Sequence, residues 1–189
     1  AAPDMVVIHY TEMASAEAAV RWLCDPVSRV SAHYLVAADG AVVRMVAEER
    51  RAWHAGVSGW GGASDVNSRS IGIELDSPGH RPGAPVFPEA QIAALIALLA
   101  GIRSRWPVPR RNVVAHSDVA PERKIDPGER FPWARLAAAG HALHVGPQPA
   151  GRPYDADAMR AAPSAAGYVL ERRGMAQDAL FAAAVTAFH

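Results

Sequence analysis

The stretch Met5-Val6-Val7-Ile8-His9-Tyr10 decides the fold, because it predicts a short buried strand that ends on a polar side chain. Its first four residues are apolar and largely β-branched, as in a strand that the rest of the protein covers. His9 stands at the carboxyl end of this strand. In open α/β sheets, ligands bind outside the carboxyl ends of the strands, so we expect a functional site there.

Further polar side chains occupy comparable places along the chain. Glu74 lies inside a short apolar run, and His116 directly follows another. The polar loop after His116 adds Lys124 and Asp126, which are two residues apart and face the same side in an extended segment. We therefore predict one site at the strand ends that combines these four residues with His9.

The rest of the pattern predicts helices around these strands. Strands are predicted at 5–8, 33–37, 41–46, 71–75 and 112–115, and helices at 15–23, 88–105, 132–139, 156–170 and 175–188. Asp39-Gly40 between two apolar runs indicates a hairpin. Residues 51–70 show no period and predict a long functional loop. The predicted class is α/β with a small C-terminal helical module.

The composition is that of a folded globular protein without net charge. The 189 residues include 19 Lys and Arg against 19 Asp and Glu, so no basic excess indicates nucleic-acid binding. No apolar stretch reaches the roughly 20 residues that span a bilayer. The N-terminus lacks an export signal, so we expect either none or one already removed, with an upstream lipid anchor left open. The lone Cys24 is predicted to be a small buried hydrophobe.

His9, His116 and Asp126 form a ligand set that suits Zn²⁺ and leaves a fourth position for water. A bound zinc ion lowers the pKa of that water to about 7, which supplies hydroxide at neutral pH. Glu74, with its apolar neighbours, is placed to transfer a proton, and Lys124 is placed to stabilise an oxyanion. Taken singly, each of these residues is more typical of a surface, core or ion-pair position.

Five ordered segments carry a resemblance to a known family. They are Val7-Ile8-His9-Tyr10-Thr11; residues 30–36 with Asp39-Gly40; residues 52–58 with Trp60; Asn67 with residues 70–75; and residues 114–121 followed by Arg123-Lys124-Ile125-Asp126-Pro127-Gly128. In this combination the chain resembles the zinc-dependent N-acetylmuramoyl-L-alanine amidases of the type 2 family, which includes peptidoglycan recognition proteins. The resemblance covers residues 5–140 and implies a central mixed β-sheet flanked by helices.

The resemblance also implies roles for the site residues. It implies His9, His116 and Asp126 as ligands of one Zn²⁺ per chain, Glu74 as the general acid/base and Lys124 as the cation that stabilises the transition state. Asp rather than Cys at position 126 is more similar to the bacterial amidases than to the animal recognition proteins. The family cleaves the amide between N-acetylmuramic acid and L-alanine of the stem peptide, and we expect activity on the ordinary and the anhydro sugar.

Four more residues of the matching segments are candidates for the substrate side of the site. His54 and Asn67 are predicted to line the substrate groove, with a structural role in locking the loop as an equal alternative. Trp60 either stacks on a sugar or covers the core. His33 belongs to the same group, although burial near the site predicts a structural role for it.

The predicted organisation is a catalytic domain at 1–143, a linker at 144–153 and a helical module at 154–189 that resembles peptidoglycan-binding modules. The alternative is an extension that packs on the catalytic domain. The extension favours an enzyme of the bacterial cell envelope, periplasmic or anchored to the outer membrane, that acts on peptidoglycan or muropeptides. We expect a monomer. A cytoplasmic enzyme of muropeptide recycling is the alternative.

Two other classes compete with the amidase hypothesis. A non-catalytic peptidoglycan recognition protein would share the fold, and a domain with a structural metal or none would share the class. A binding protein does not need the metal ligands, the acid/base and the cation together. All five of those positions are filled here, which favours the enzyme.

Overall fold

The computed structural model describes residues 2–81, 86–144, 156–170 and 176–188. The strands are β1 (Met5–Tyr10), β2 (Tyr34–Val36), β3 (Val42–Arg44), β4 (Ser70–Leu75) and β5 (Val113–Ala115). The helices are α1 (Ala16–Leu23), α2 (Glu89–Arg105), α3 (His116–Val119), α4 (Trp133–Ala138), α5 (Ala156–Ala166) and α6 (Gln177–Phe188). None of the helices within these described ranges is long and apolar enough to cross a membrane.

The five strands form one mixed sheet in the order β3-β2-β4-β1-β5. β1 is parallel to both β4 and β5, and β2 is parallel to β4. Only the hairpin partners β2 and β3 are antiparallel. The predicted α/β class, with a mixed sheet flanked by helices, is confirmed.

The inner strand β1 is apolar on both faces because both faces are covered. Val6 and Ile8 pack into the cluster formed with helix α2, whose Ile92, Leu95, Leu99 and Ile102 are buried. Met5 and Val7 point to the opposite cluster. Full burial of each such side chain contributes about 1.5–3 kcal/mol. The continuous apolar run that starts the strand follows from this two-sided cover.

The structure moves some of the predicted boundaries and overturns one burial prediction. His116 does not end strand β5 but begins α3, which also takes in the first residues of the predicted loop, and Asp118 Oδ2 accepts a hydrogen bond from the backbone N–H of Ala115 at 2.7 Å. The prediction that Cys24 is buried is wrong. Helix α1 buries only Ala19, so its C-terminal end, where Cys24 lies, faces solvent.

The C-terminal helices pack against the part of the chain that forms the sheet. Gly61 N–H donates to the carbonyl of Gly167 at 2.7 Å, and the rings of Trp60 and Tyr168 meet edge to face at 5.2 Å between centroids. Ala184 of α6 joins the cluster on that face of the sheet. This is the packing that the alternative predicted, whereas peptidoglycan binding by the module stays a prediction. Apart from residue 144, the predicted linker 144–153 lies outside the described residues.

Candidate metal centre

Three predicted ligands converge at the end of the sheet where the parallel strands β1 and β5 finish. His9 Nδ1 lies 2.9 Å from His116 Nδ1 and 3.1 Å from Asp126 Oδ2, and His116 Nδ1 lies 3.0 Å from the same oxygen. All three residues are buried, and they form the single group of potential metal ligands among the described residues. Parallel pairing explains the meeting of the histidines, because Ile8 is in register with Ala115 and the next residue of each chain segment leaves at the same edge.

The loop that delivers the carboxylate is fixed to the start of α3. Ser117 N–H donates to the backbone carbonyl of Asp126 at 3.0 Å, so the loop folds back onto the helix that begins with His116. Burial alone would raise the pKa of Asp126. The close contacts with the His116 and His9 rings outweigh burial and hold the pKa of Asp126 far below its usual range. The carboxylate is therefore ionised and available as a ligand.

The protons on His116 show that the cluster suits a cation. His116 Nε2 lies 3.3 Å from the carbonyl oxygen of Ala55, and a carbonyl can only accept, so a proton lies on Nε2 and Nδ1 is the nitrogen available as a metal ligand. His116 Nδ1 then turns a lone pair toward the carboxylate of Asp126 and the Nδ1 of His9. The ligand atoms stand 2.9–3.1 Å apart, close to the roughly 3.3 Å edge of a tetrahedron with zinc–nitrogen bonds of about 2.0–2.1 Å. The residues therefore fit a zinc ion.

The ring nitrogen of His9 that faces away from the cluster is paired with a second histidine. Its Nε2 lies 3.0 Å from His54 Nδ1, and His54 Nε2 lies 3.1 Å from Ser70 Oγ. Burial, reinforced by His116, lowers the pKa of His9 to about 4. Burial and the neighbouring histidines also hold the pKa of His54 well below its usual value. Both rings are therefore neutral, as a metal-bound histidine and its partner must be.

Glu74 stands beside this cluster because of the sheet register. It is the direct partner of His9 across the parallel pair of β1 and β4, so both side chains leave the same face. Its Oε2 is buried and has no hydrogen-bond partner among the described residues. Burial raises its pKa to about 8, with a further increase from Asp126 and an opposing decrease from Lys124. A carboxyl group in this environment readily gains and loses a proton near neutral pH.

Lys124 contributes a positive charge to the same edge. The side chain is half-buried. Its charge lowers the pKa values of Glu74 and His9. Lys124 N–H donates to the carbonyl of Ala120 at 3.0 Å, which fixes the backbone of the turn that carries it. A cation held beside a carboxylate and a metal site can stabilise negative charge that develops on a substrate oxygen.

The candidates for the substrate side are buried and paired within the protein. Asn67 Oδ1 accepts from the backbone N–H groups of His54 and Ala55 at 3.1 and 2.8 Å. His33 contacts backbone groups of Arg50 and Gly72. These contacts favour the loop-locking alternative for Asn67 and His54 and a structural role for His33.

Trp60 is also largely covered. Only 6% of it is exposed, and it packs on Tyr168 in the C-terminal module. A Cβ on Gly167 would lie only 2.7 Å from Trp60 Cε2, so the indole ring packs closely on the backbone of the C-terminal module. The contacts favour the core-covering alternative over stacking on a sugar.

Sequence reasoning assigned no role to two residues that support the ligands. Ser70 receives the hydrogen bond of His54. Arg123 donates to the carbonyls of Ala55 and Val57, and Ala55 is the same group that holds His116. Both residues lie inside the matching segments, but their partners are distant in sequence. Local pattern therefore carries no signal for these contacts.

Comparison with known proteins gives one family for the site and its fold. The family model described as N-acetylmuramoyl-L-alanine amidase matches residues 1–129. The N-acetylmuramoyl-L-alanine amidase AmiD of Escherichia coli strain K12 is 43% identical over 148 residues, 72% of this chain and 52% of AmiD. The chain thus spans about half the length of that relative. The 1,6-anhydro-N-acetylmuramyl-L-alanine amidase AmpD of Citrobacter freundii is 35% identical over 72% of this chain and 80% of AmpD.

Solved structures extend the similarity to the C-terminal helices. AmiD from E. coli, in complex with the substrate anhydro-N-acetylmuramic acid-L-Ala-D-γ-Glu-L-Lys, has a TM-score of 0.82 and 32% identity, covering 100% of this chain and 89% of that chain. AmpDh3 from Pseudomonas aeruginosa, in complex with an anhydromuramic pentapeptide, has a TM-score of 0.85 and 33% identity, covering 100% of this chain and 82% of that chain.

Proposed function

Because the chain belongs to the N-acetylmuramoyl-L-alanine amidase family, we propose that it hydrolyses the amide between N-acetylmuramic acid and the L-alanine of the peptidoglycan stem peptide. The observation that carries the proposal is the buried cluster of His9, His116 and Asp126, with Glu74 and Lys124 at the same edge. A binding protein needs no such combination of metal ligands, proton carrier and cation.

Each residue of the edge has a task in this hydrolysis. His9, His116 and Asp126 would hold a zinc ion, which would make a bound water acidic enough to act as a nucleophile near neutral pH. Glu74 takes the proton of the attacking water and passes it to the nitrogen of L-alanine, so that the amine leaves uncharged. Lys124 stabilises the negative charge that develops on the carbonyl oxygen. The raised pKa of Glu74, about 8, supports its part, because the group must also act as an acid.

The substrate class follows from the relatives. AmiD and AmpDh3 are each known in complex with an anhydromuramic peptide, which supports anhydro-muropeptides as substrates here. We extend the proposal to ordinary N-acetylmuramic acid in intact peptidoglycan. The cell envelope is the proposed compartment, and a monomer the proposed state, with cytoplasmic recycling as the alternative. The helices at 156–188 are proposed to bind peptidoglycan in addition to packing on the catalytic domain.

Mass spectrometry of the products tests the proposal. Zinc-loaded protein is incubated in ¹⁸O-water with an anhydro-muropeptide and, separately, with intact sacculi. We expect free stem peptide that begins with L-alanine from both, and heavy oxygen in the lactyl carboxylate of the sugar. The controls are the same protein stripped of metal by a chelator and the variant His116→Ala.

The outcomes separate the competing functions. Binding of sacculi without release of stem peptide would overturn the amidase in favour of a recognition protein. Cleavage of the anhydro compound alone would keep the reaction but reject the wider substrate range, and would move the protein to muropeptide recycling. Equal product with and without metal would reject the zinc mechanism.

A further inference from the structure

A chain of buried hydrogen bonds leads away from the metal cluster on the His9 side. His9 Nε2 lies 3.0 Å from His54 Nδ1, and His54 Nε2 lies 3.1 Å from Ser70 Oγ. Ser70 Oγ lies 2.6 Å from the carbonyl oxygen of Val66. His9, His54 and Ser70 are all buried, so these partners are not exchanged for bulk water.

The Val66 carbonyl sets the direction of every proton in this chain. A carbonyl only accepts, so the Ser70 hydroxyl donates to it, and Ser70 Oγ accepts from His54 Nε2–H. The neutral His54 then presents the lone pair of Nδ1 to His9. His9 Nε2 must donate to it, which leaves His9 Nδ1 without a proton. That bare nitrogen is the atom that meets His116 and Asp126.

We propose that His54 and Ser70 are positioning residues that select the metal-binding tautomer of His9 and hold its ring at the cluster. The inference rests on the zinc site of the proposed function. A metal-bound histidine usually donates its second N–H to a carboxylate, a carbonyl or water. His116 follows that rule through the Ala55 carbonyl, whereas His9 uses a second imidazole whose own tautomer must be fixed.

The residues around His54 restrict its ring to one position. A Cβ on Gly72 would lie 2.4 Å from His54 Cγ, so the ring occupies space that only a glycine at position 72 allows. Asn67 Oδ1 accepts from the backbone N–H of His54 at 3.1 Å and fixes the main chain. The ring is therefore held by packing, by its backbone and by both nitrogens.

His141 provides a control histidine away from this chain of bonds. Its Nδ1 accepts from Arg103 Nη1 at 3.0 Å, so a ring nitrogen is paired here too, but not with a metal ligand. His33 is unsuitable as a control, because its ring meets the His54 ring edge to face with 5.8 Å between centroids. Substitution of His141 therefore removes a paired histidine without disturbing His54 or the partner of His9.

The first test measures zinc affinity by competition with a chromophoric chelator. Since loss of the partner of a metal-bound histidine lowers metal affinity by about 10–100-fold, we expect that loss for His54→Leu. His54→Asn places an acceptor oxygen near the Nδ1 position and should restore most of the affinity. Ser70→Ala should give an intermediate loss, and His141→Gln none. Wild-type affinity in both His54→Leu and Ser70→Ala would overturn the inference.

The second test needs no variant. A ¹⁵N-resolved spectrum of the histidine rings in the zinc-loaded protein should show His9 protonated on Nε2, with scalar coupling across the hydrogen bond to His54 Nδ1. A proton on His54 Nδ1 instead would overturn the inference even if His54→Leu fails to fold. If the wild-type protein binds no zinc, the proposed function itself fails, so the two failures are distinguishable.

Discussion

The metal edge and the C-terminal helices are built in opposite ways. We use metal edge for the buried ligands His9, His116 and Asp126, the neighbouring carboxyl group of Glu74 and the half-buried Lys124, whose charge acts on both. The C-terminal helices α5 and α6 instead attach mainly by apolar contact.

The contacts of the C-terminal helices show this difference. Leu180 and Ala184 are buried, and Tyr168 packs on Trp60 and donates its hydroxyl proton to Asp118. Converging lone pairs do not stabilise a fold without a cation, whereas buried aliphatic groups do. The metal edge should therefore control the reaction and the helices should control stability.

The largest effect is expected from Asp126→Asn. The neutral amide cannot replace the ionised ligand, so zinc binding and turnover should fall to the level of the metal-free protein. Added zinc should raise the thermal midpoint of the wild type but not of the variant. Elemental analysis and calorimetry check this. Asp65→Asn, at an exposed aspartate paired with Arg51, is the control and should keep its zinc. Full zinc occupancy in Asp126→Asn would contradict the ligand assignment.

Glu74→Gln should separate chemistry from metal binding. The variant keeps the shape of the side chain but cannot take a proton, so kcat should fall by about 10²–10⁴-fold while zinc is retained. Steady-state kinetics on an anhydro-muropeptide, with zinc measured on the same sample, check this. Glu89→Gln, at an exposed ion pair with Arg135, should leave kcat unchanged. Wild-type turnover in Glu74→Gln would remove the residue from the mechanism.

The same variant gives a pH test in the metal-free protein. The pKa of Glu74 is raised to about 8 in the fold, so between its ordinary value and 8 the folded state holds a proton that the unfolded state has lost. Its contribution to the free energy of unfolding therefore falls as the pH rises through that range. The wild type should lose stability to urea relative to Glu74→Gln as pH increases. A constant difference between the two proteins would contradict the shift.

Lys124→Met should lower kcat by about 10²-fold, since removal of one group that stabilises an oxyanion typically costs that much. Lys124 is the only lysine of the chain, so acetylation of wild-type amines offers a second approach. Acetylated wild type should lose the same activity, whereas the already slow variant should not respond. Peptide mapping identifies the modified site. Full activity after complete acetylation of Lys124 would exclude its charge from catalysis.

The ligands could be predicted from sequence because parallel strands bring their carboxyl ends together. His9 and His116 each follow an apolar run. The parallel register of β1 with β5 then places the two histidines next to each other. The single lysine is a further signal that the composition contains. All other basic residues apart from histidine are arginine, so this one lysine stands out in the polar loop.

The supporting contacts could not be predicted, because they join residues far apart without periodicity. His54 meets His9 across the loop at 51–70, and Trp60 is covered by Tyr168 from the C-terminal module. The positions of these residues along the chain do not indicate which distant side chain each of them contacts. Exposed Cys24 is the converse case, since apolar neighbours in sequence did not mean burial.

Leu180→Ala tests the other side of the comparison and should have the smallest effect on turnover. Leu180 is 1% exposed, and loss of a buried leucine costs about 2–5 kcal/mol of stability. We expect a lower urea midpoint but wild-type kcat and zinc content on a soluble anhydro-muropeptide. Leu143→Ala, at a leucine that is 56% exposed, should change neither. If Leu180→Ala leaves stability intact, α6 does not pack as described. If it lowers kcat at full zinc occupancy, the helices take part in shaping the metal edge, and the division of labour argued here is wrong.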